Sequence, residues 1–185
     1  MKLPNKAKRV FKGVIFDVYQ WPQKMFDGSV ATFEALKRPD AVRVIAIQDN
    51  EIILNQEKQP AGKKMLGTFG GRVDEGETLL ACAKRELLEE SGFKSDDWEL
   101  LESSEFYPEK MDFTVYTFVA RNCKKIRKPT KDPGEEIKTI TVNFDKFIKI
   151  ILDKKSPTSK EFALRILRLK YAGELNKFKK LLFKK

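Results

Sequence analysis

One segment with helical periodicity lies among segments that alternate like strands, and this most narrows the possible folds. Residues 78–92, "TLLACAKRELLEESG", put Leu80, Ala83 and Leu87 on the 3.6-residue period, and Gly92 is placed to end the helix. Before it, "RVFKGVIFDVY" (9–19) and "SVATFEAL" (29–36) predict strands, with a turn signal at Asp27–Gly28. "AVRVIAIQDNEIILNQ" predicts a hairpin about Asp49–Asn50. After the helix, "WELLESSEFY" and "FTVYTFVAR" predict strands joined through Pro108-Glu109-Lys110-Met111, and "IKTITVNF" predicts another. "DKFIKIILDKK" reads as a helix. Beyond Ser156–Pro157 a further helix is expected, with Leu164, Leu167, Tyr171, Leu175, Phe178 and Leu182 on one stripe that Gly173 interrupts. Strands on both sides of one helix, closed by further helices, predict an α/β sandwich with a mixed sheet.

The helix carries an electrostatic problem. Glu86 and Glu90 are four residues apart and Glu86 and Glu89 three apart, so the carboxylates face one another. Like charges at these spacings cost a few tenths of a kcal/mol each on an exposed helix. In a cleft they would cost more, about 4 kcal/mol per pair at ~4 Å and an effective dielectric of ~20. Arg85 can pair with Glu89 along the helix, but a further counterion is called for. Oxygen-rich clusters of this kind suit Mg²⁺ or Mn²⁺. Gly70–Gly71, just before the helix, would let the backbone approach a ligand and offer a carbonyl oxygen. By themselves the three glutamates read as well as a solvated acidic face.

Composition narrows the chemistry. The chain has no histidine, which removes Ser-His-Asp and Cys-His triads and imidazole zinc sites. Acid–base work falls to carboxylates, Lys, Tyr or a metal-bound water. Cys82 and Cys123 form no metal-type spacing, and no apolar run is long enough to cross a membrane, so a reduced cytoplasmic protein is expected.

Residues 71–93, "GRVDEGETLLACAKRELLEESGF", resemble the Nudix box: a glycine, five residues, a glutamate, seven residues, then Arg-Glu-apolar-any-Glu-Glu-any-Gly-apolar. Gly71, Glu77, Arg85, Glu86, Leu87, Glu89, Glu90, Gly92 and Phe93 fill every defined position. The resemblance implies a Nudix-type α/β/α sandwich with a mixed β-sheet and a metal-dependent pyrophosphohydrolase. It implies Glu86 and Glu90 as principal ligands of Mg²⁺, with Mn²⁺ possible. Glu89 would ligate or hold a metal-bound water, Arg85 orient the carboxylates, Glu77 fix the loop and Gly70 supply a backbone ligand.

Outside the box the chain is similar to the ADP-ribose pyrophosphatase and nucleotide-sugar branch of that family. The likeness rests on the N-terminal β segment ending "FEALKRPDAV", on Pro108, and on Glu135–Glu136 before "IKTITV". It implies ADP-ribose or a related nucleotide sugar as substrate, a homodimer, and Glu135 or Glu136 as catalytic base or extra ligand. Substrate contacts would fall to Lys58, Arg72 and Arg38, with Phe69, Phe106 or Tyr107 available to stack a base. Two departures stand out: Tyr107-Pro108-Glu109 replaces the branch's Ser-Pro-Gly, and Lys58 stands where an arginine is common. The alternatives are a nucleoside triphosphatase, including one for oxidised nucleotides, and an RNA-associated Nudix protein that uses its basic tail.

The net charge of +10 lies in one place. Residues 146–185 hold thirteen Lys and Arg against Asp153, Glu161 and Glu174, while the rest of the chain balances. The expected division is therefore a Nudix domain over 1–155, with its N-terminal β segment at 9–37, and a basic amphipathic helical tail over 156–185. The tail would either dock on the domain or meet RNA or another anionic surface.

Overall fold

The computed structural model describes residues 2–58, 65–130, 136–154 and 160–184. Along the chain run β1 (Lys8–Phe11), β2 (Asp17–Lys24), β3 (Val30–Lys37), β4 (Ala41–Gln48), β5 (Glu51–Lys58) and β6 (Met65–Gly67). Then come α1 (Leu79–Ser91), β7 (Phe93–Lys94), β8 (Asp97–Glu105), β9 (Met111–Asp112), β10 (Thr114–Arg121), β11 (Lys124–Lys125) and β12 (Glu136–Val142). Helices α2 (Phe144–Leu152), α3 (Lys160–Tyr171) and α4 (Leu175–Leu182) close the described chain.

The central sheet has the order β12-β5-β4-β10-β8, with β6 added on β5. It is mixed, because β4 and β10 run parallel while β5 and β8 are antiparallel to them. Strand β4 reads as a nearly continuous apolar run because both its faces are covered. Val42, Val44 and Ala46 pack with Ala83 and Leu87 of α1 on one face. Ile45 and Ile47 pack on the other with Phe147 of α2, Phe162 and Ile166 of α3, and Phe178 and Leu182 of α4. Alternate residues of one strand therefore hold opposite helical layers, giving an α/β/α sandwich. The hairpin forms as expected: Asp49 and Asn50 both have positive φ, 48° and 63°, the requirement of a two-residue turn matched to strand twist.

Three local expectations need correction. Residues 9–19 are not one strand. They form β1 and the start of β2, paired antiparallel around a turn in which the Gly13 amide donates to Asp17 Oδ1 at 3.2 Å. A Cβ on Gly13 would lie 2.2 Å from the Phe16 carbonyl oxygen, so the turn needs glycine there. Leu80 is exposed, and α1 instead buries Cys82, Ala83, Leu87 and Ser91. In α3 the buried stripe is Phe162 and Ile166, while Leu164, Leu167 and Tyr171 face solvent. Gly173 does divide the last two helices, with φ 69°.

Strands β7 and β11 form a small antiparallel pair, and a third sheet, β1-β2-β3-β9, is a meander extended by β9, which comes from the connection containing Pro108 and pairs parallel with β3. This sheet brings the N-terminal segment beside the glutamate helix.

Candidate active site

Local rules fix α1 at both ends. The Thr78 hydroxyl accepts from the Ala81 amide at 3.2 Å, and Gly92 ends the helix in the left-handed conformation at φ 73°. A Cβ at Gly92 would lie 1.9 Å from the Arg127 carbonyl oxygen, so no larger residue fits this C-cap. With Ala83 and Leu87 on the sheet, Arg85, Glu86, Glu89 and Glu90 stand along the helix flank, towards the loop at Gly70–Gly71.

Arg85 is the hub. Its Nε donates to Glu77 Oε1 at 3.0 Å and its Nη2 to Glu77 Oε2 at 2.9 Å. Its Nη1 donates to Glu86 Oε1 at 2.8 Å and to Glu89 Oε2 at 3.3 Å, and Nη2 also reaches the Arg72 carbonyl at 3.2 Å. The guanidinium draws the Glu77 carboxyl down to about 2. Glu86 moves the other way, raised above its ordinary value by burial, with the charges of Glu89 and Glu77 adding to the shift. One arginine offsets the repulsion among these carboxylates only in part.

Two further contacts run to the glycine pair. Glu90 Oε2 accepts the Gly70 amide at 3.1 Å, and the Glu86 carboxylate lies so close to Gly71 that an added Cβ would meet its Oε1 at 2.3 Å. Gly70 has φ 147°, and a Cβ there would strike the Val42 carbonyl oxygen at 2.2 Å. The carbonyls of Phe69 and Gly71 are taken by the amides of Val44 and Val42. Among the described residues no backbone amide takes the Gly70 carbonyl. The donor set is therefore hard oxygen, with carboxylates around an available carbonyl, which is the chemistry of Mg²⁺ or Mn²⁺. Among the described residues the side chains do not yet converge as a three-ligand cage, since Glu86 and Glu89 are held by Arg85 and Glu90 by Gly70.

Beside Glu86 opens a pocket of about 370 Å³, lined by Arg85, Arg72, Arg38, Pro39 and Ile15 among others. Arg38 lies over the rings of Phe113, at 4.3 Å, and Phe16, at 5.6 Å. Its Nε is buried without a hydrogen-bond partner. Burial and the charge of Arg72 lower its pKa from the ordinary arginine value. Among the described residues the Arg72 side chain pairs with Asp74, at 3.5 Å, and it is largely exposed.

The structure thus gathers Glu86, Glu89, Glu90, Arg85, Gly70, Arg72 and Arg38 at one end of the sheet. Lys58 ends β5 and is the backbone partner of Glu136 at the head of β12. Because β5 runs antiparallel to β4, that end of β5 shares its end of the sheet with Ala41, which bridges Arg72. The side chains of Lys58 and Glu136, and the whole of Glu135, lie outside the described residues. Phe69 is 1 % exposed and belongs to the core, so it stacks no base. Phe106 packs on Phe113 at 5.3 Å, Tyr107 is exposed, and Pro108 follows Tyr107 in a turn closed by the Lys110 amide. Sequence reasoning missed Ile15, which lines the pocket, and Phe16 and Phe113, whose rings flank Arg38; they come together only through the N-terminal sheet and the β9 connection, and no local spacing marks them. Burial pushes the Cys82 thiol up to about 12 and that of Cys123 to about 11, so neither is a nucleophile.

A family model described as NUDIX domain matches residues 37–165. The chain belongs to this family, and its class is that of the Nudix-type pyrophosphohydrolases. It is 28% identical over 171 residues to a methanol dehydrogenase activator of Bacillus methanolicus, across 90% of this chain and 92% of that one. It is 26% identical over 176 residues to an ADP-ribose pyrophosphatase of Bacillus subtilis (strain 168), across 92% and 94%. A crystal structure of an ADP compounds hydrolase shares the fold, with a TM-score of 0.70 at 23% identity over 92% of this chain and 95% of the other.

Proposed function

We propose that this enzyme hydrolyses the diphosphate of a nucleoside diphosphate linked to a sugar, with ADP-ribose the first choice: ADP-ribose + H₂O → AMP + ribose 5-phosphate. One observation carries the reading. Arg38 and Arg72 line a pocket directly against Glu86, so two guanidinium-bearing side chains border the cavity that opens at the carboxylate cluster. A diphosphate spanning from the carboxylates into that pocket would present acceptor oxygens to both side chains. The ADP-ribose pyrophosphatase relative supports the choice of substrate.

Glu86, Glu89, Glu90 and the Gly70 carbonyl would hold Mg²⁺ or Mn²⁺, which would supply charge neutralisation for the diphosphate and activation of water. Arg85 orients Glu86 and Glu89, and the Gly70 amide orients Glu90. Arg38 and Arg72 bind phosphate oxygens. Glu135 or Glu136 takes the proton from the attacking water, and Lys58, opposite Glu136, adds charge at the same end of the sheet. The enzyme acts in the cytoplasm as a homodimer, a state supported by exposed Val10 and Phe11 on β1 and exposed Val14 and Phe26 in the connections on either side of β2.

A panel of nucleotide sugars, dinucleotides and nucleoside triphosphates, assayed with Mg²⁺ and with Mn²⁺, tests the substrate. ADP-ribose or a related nucleotide sugar should exceed every triphosphate in kcat/KM by at least about tenfold, or ~1.4 kcal/mol of transition-state binding. Faster triphosphate turnover would replace this reading with a triphosphatase.

A further inference from the structure

The basic surplus of the last forty residues is arranged around two joined pockets at the far end of the sheet. The larger, about 620 Å³, is lined by Asn50, Asn143, Phe144, Phe183 and the lysines Lys179, Lys180 and Lys184. The second, about 280 Å³, shares Asn50, Phe183 and Lys184 with it and continues to Asn122 and Lys124. Among the described residues Asp49 is the one carboxylate in either lining. Four lysines thus border a connected depression that also contains amides and phenyl rings. Phe183 stands edge-on to Phe144 at 6.4 Å and is half-buried, so part of its ring faces the depression. Lys179 lies 5.6 Å from the Phe144 centroid, and Lys184 is tied to Glu99 at 2.7 Å.

Helix α4 is fixed in this position by buried Arg121. Its Nε donates to the Leu182 carbonyl at 2.9 Å and its Nη2 to the Leu181 carbonyl at 2.6 Å, while Glu99 accepts a third bond at 2.7 Å. The lysines are therefore carried on an anchored helix, and the surface is preorganised.

We propose that this depression binds single-stranded nucleic acid, with the lysines on phosphates, the Phe183 ring against a base and the asparagines on base edges. Cations along a concave track with an aromatic platform are the chemistry of strand binding. An anionic membrane is the poorer fit, because it needs a protruding apolar face beside the cations, whereas these rings line a hollow. Strand β4 separates this surface from the carboxylate helix. Ala41 lies beside Arg72, and Gln48 lines the smaller pocket about 20 Å away at ~3.3 Å per residue. The inference stands independently of the hydrolytic substrate.

Fluorescence anisotropy of the full-length protein with a labelled single-stranded RNA of about twelve nucleotides tests it, beside an abasic strand of equal length and phosphatidylserine vesicles. The RNA should bind with a log K against log salt slope near about −2, as phosphate contacts by Lys124, Lys179 and Lys180 require with Lys184 held by Glu99. The double variant Lys179→Gln, Lys180→Gln should weaken RNA binding at least about fivefold and flatten the slope by ~1.4. Phe183→Leu keeps an apolar side chain in place, and should weaken RNA at least about threefold while leaving the abasic strand unchanged. Neither variant should alter hydrolysis. RNA affinity unchanged in both variants, equal affinity for the abasic strand in the wild type, or tighter binding to vesicles than to RNA would each overturn the proposal.

Discussion

Arg85 grips Glu77 with two parallel hydrogen bonds, Nε to Oε1 at 3.0 Å and Nη2 to Oε2 at 2.9 Å, across the eight residues from loop to helix. The remaining amino group is thereby presented to Glu86 and Glu89. The Glu77 side chain sits at 16 % exposure, so the pair is shielded and its geometry is bidentate. Glu77 is the post from which the carboxylate cluster is aimed.

Glu77→Gln should therefore cost about 1–2 kcal/mol, and lower Tm by about 2–4 °C per kcal/mol for a chain of this size. The sign of the pH effect follows from the depressed carboxyl. Its folded value of about 2 lies below its ordinary 4.5, so its stabilisation is complete above 4.5 and is lost as pH falls towards 2. Urea unfolding at neutral pH and near pH 2 should show the wild-type advantage shrinking at the acid end. An advantage equal at both would count against the ion pair.

The adjacent glycines should respond differently to alanine. At Gly70 the obstacle is the Val42 carbonyl in a paired strand and φ is 147°, so Gly70→Ala should destabilise by about 2 kcal/mol or more. At Gly71 the obstacle is the carboxylate of Glu86, the end of a side chain that can turn away. Gly71→Ala should leave Tm within about 2 °C, and lower kcat at least about tenfold by displacing that carboxylate. Thermal melts beside steady-state kinetics distinguish the two, and a Gly71→Ala enzyme with normal kcat would remove Glu86 from the site.

Arg38→Ala should raise KM for the nucleotide sugar at least about tenfold, the worth of one charged hydrogen bond, with a smaller effect on kcat. Arg38→Lys should recover little, because an ammonium lacks the planar fork that stacks on Phe113. An unchanged KM in both variants would place the diphosphate elsewhere.

What the sequence made legible was whatever depends on local spacing. The glutamate helix, its Gly92 terminator and the Asp49–Asn50 hairpin follow from periodicity and turn chemistry. The carboxylate cluster was visible because one helix and its loop contain it. The pocket was half visible: Arg38 and Arg72 could be named, but Phe16 and Phe113 meet over Arg38 only because two distant segments fold together. The α3 stripe was misread for a related reason. Leu164 and Leu167 keep a helical period of their own, yet tertiary packing chose Phe162 and Ile166. Ile15 reached the pocket only once residues 9–19 had folded back as a hairpin.

The last helices supply core. Phe162, Ile166, Phe178 and Leu182 are each buried to 4 % exposure or less, worth about 1.5–3 kcal/mol apiece. A chain ending at Asp153 should therefore be insoluble, or unfold without a cooperative transition, as judged by calorimetry. A soluble truncated protein with a sharp melt and normal hydrolysis would show that these helices only decorate the surface.

The most direct measurement of the central claim is AMP release from ADP-ribose by the wild type, Glu86→Gln and Glu90→Gln, with and without Mg²⁺. The wild type should turn over only with the metal, and Mg²⁺ at about a hundred times its Kd should add ~2.7 kcal/mol of stability. Each variant should lose at least about a hundredfold in turnover, retain the fold and lose most of the Mg²⁺ stabilisation. The metal-free variants should be as stable as the wild type or more so, by a few tenths of a kcal/mol, because a like charge has been removed. Near-normal turnover in both variants, or wild-type turnover undiminished by chelation, would contradict the account.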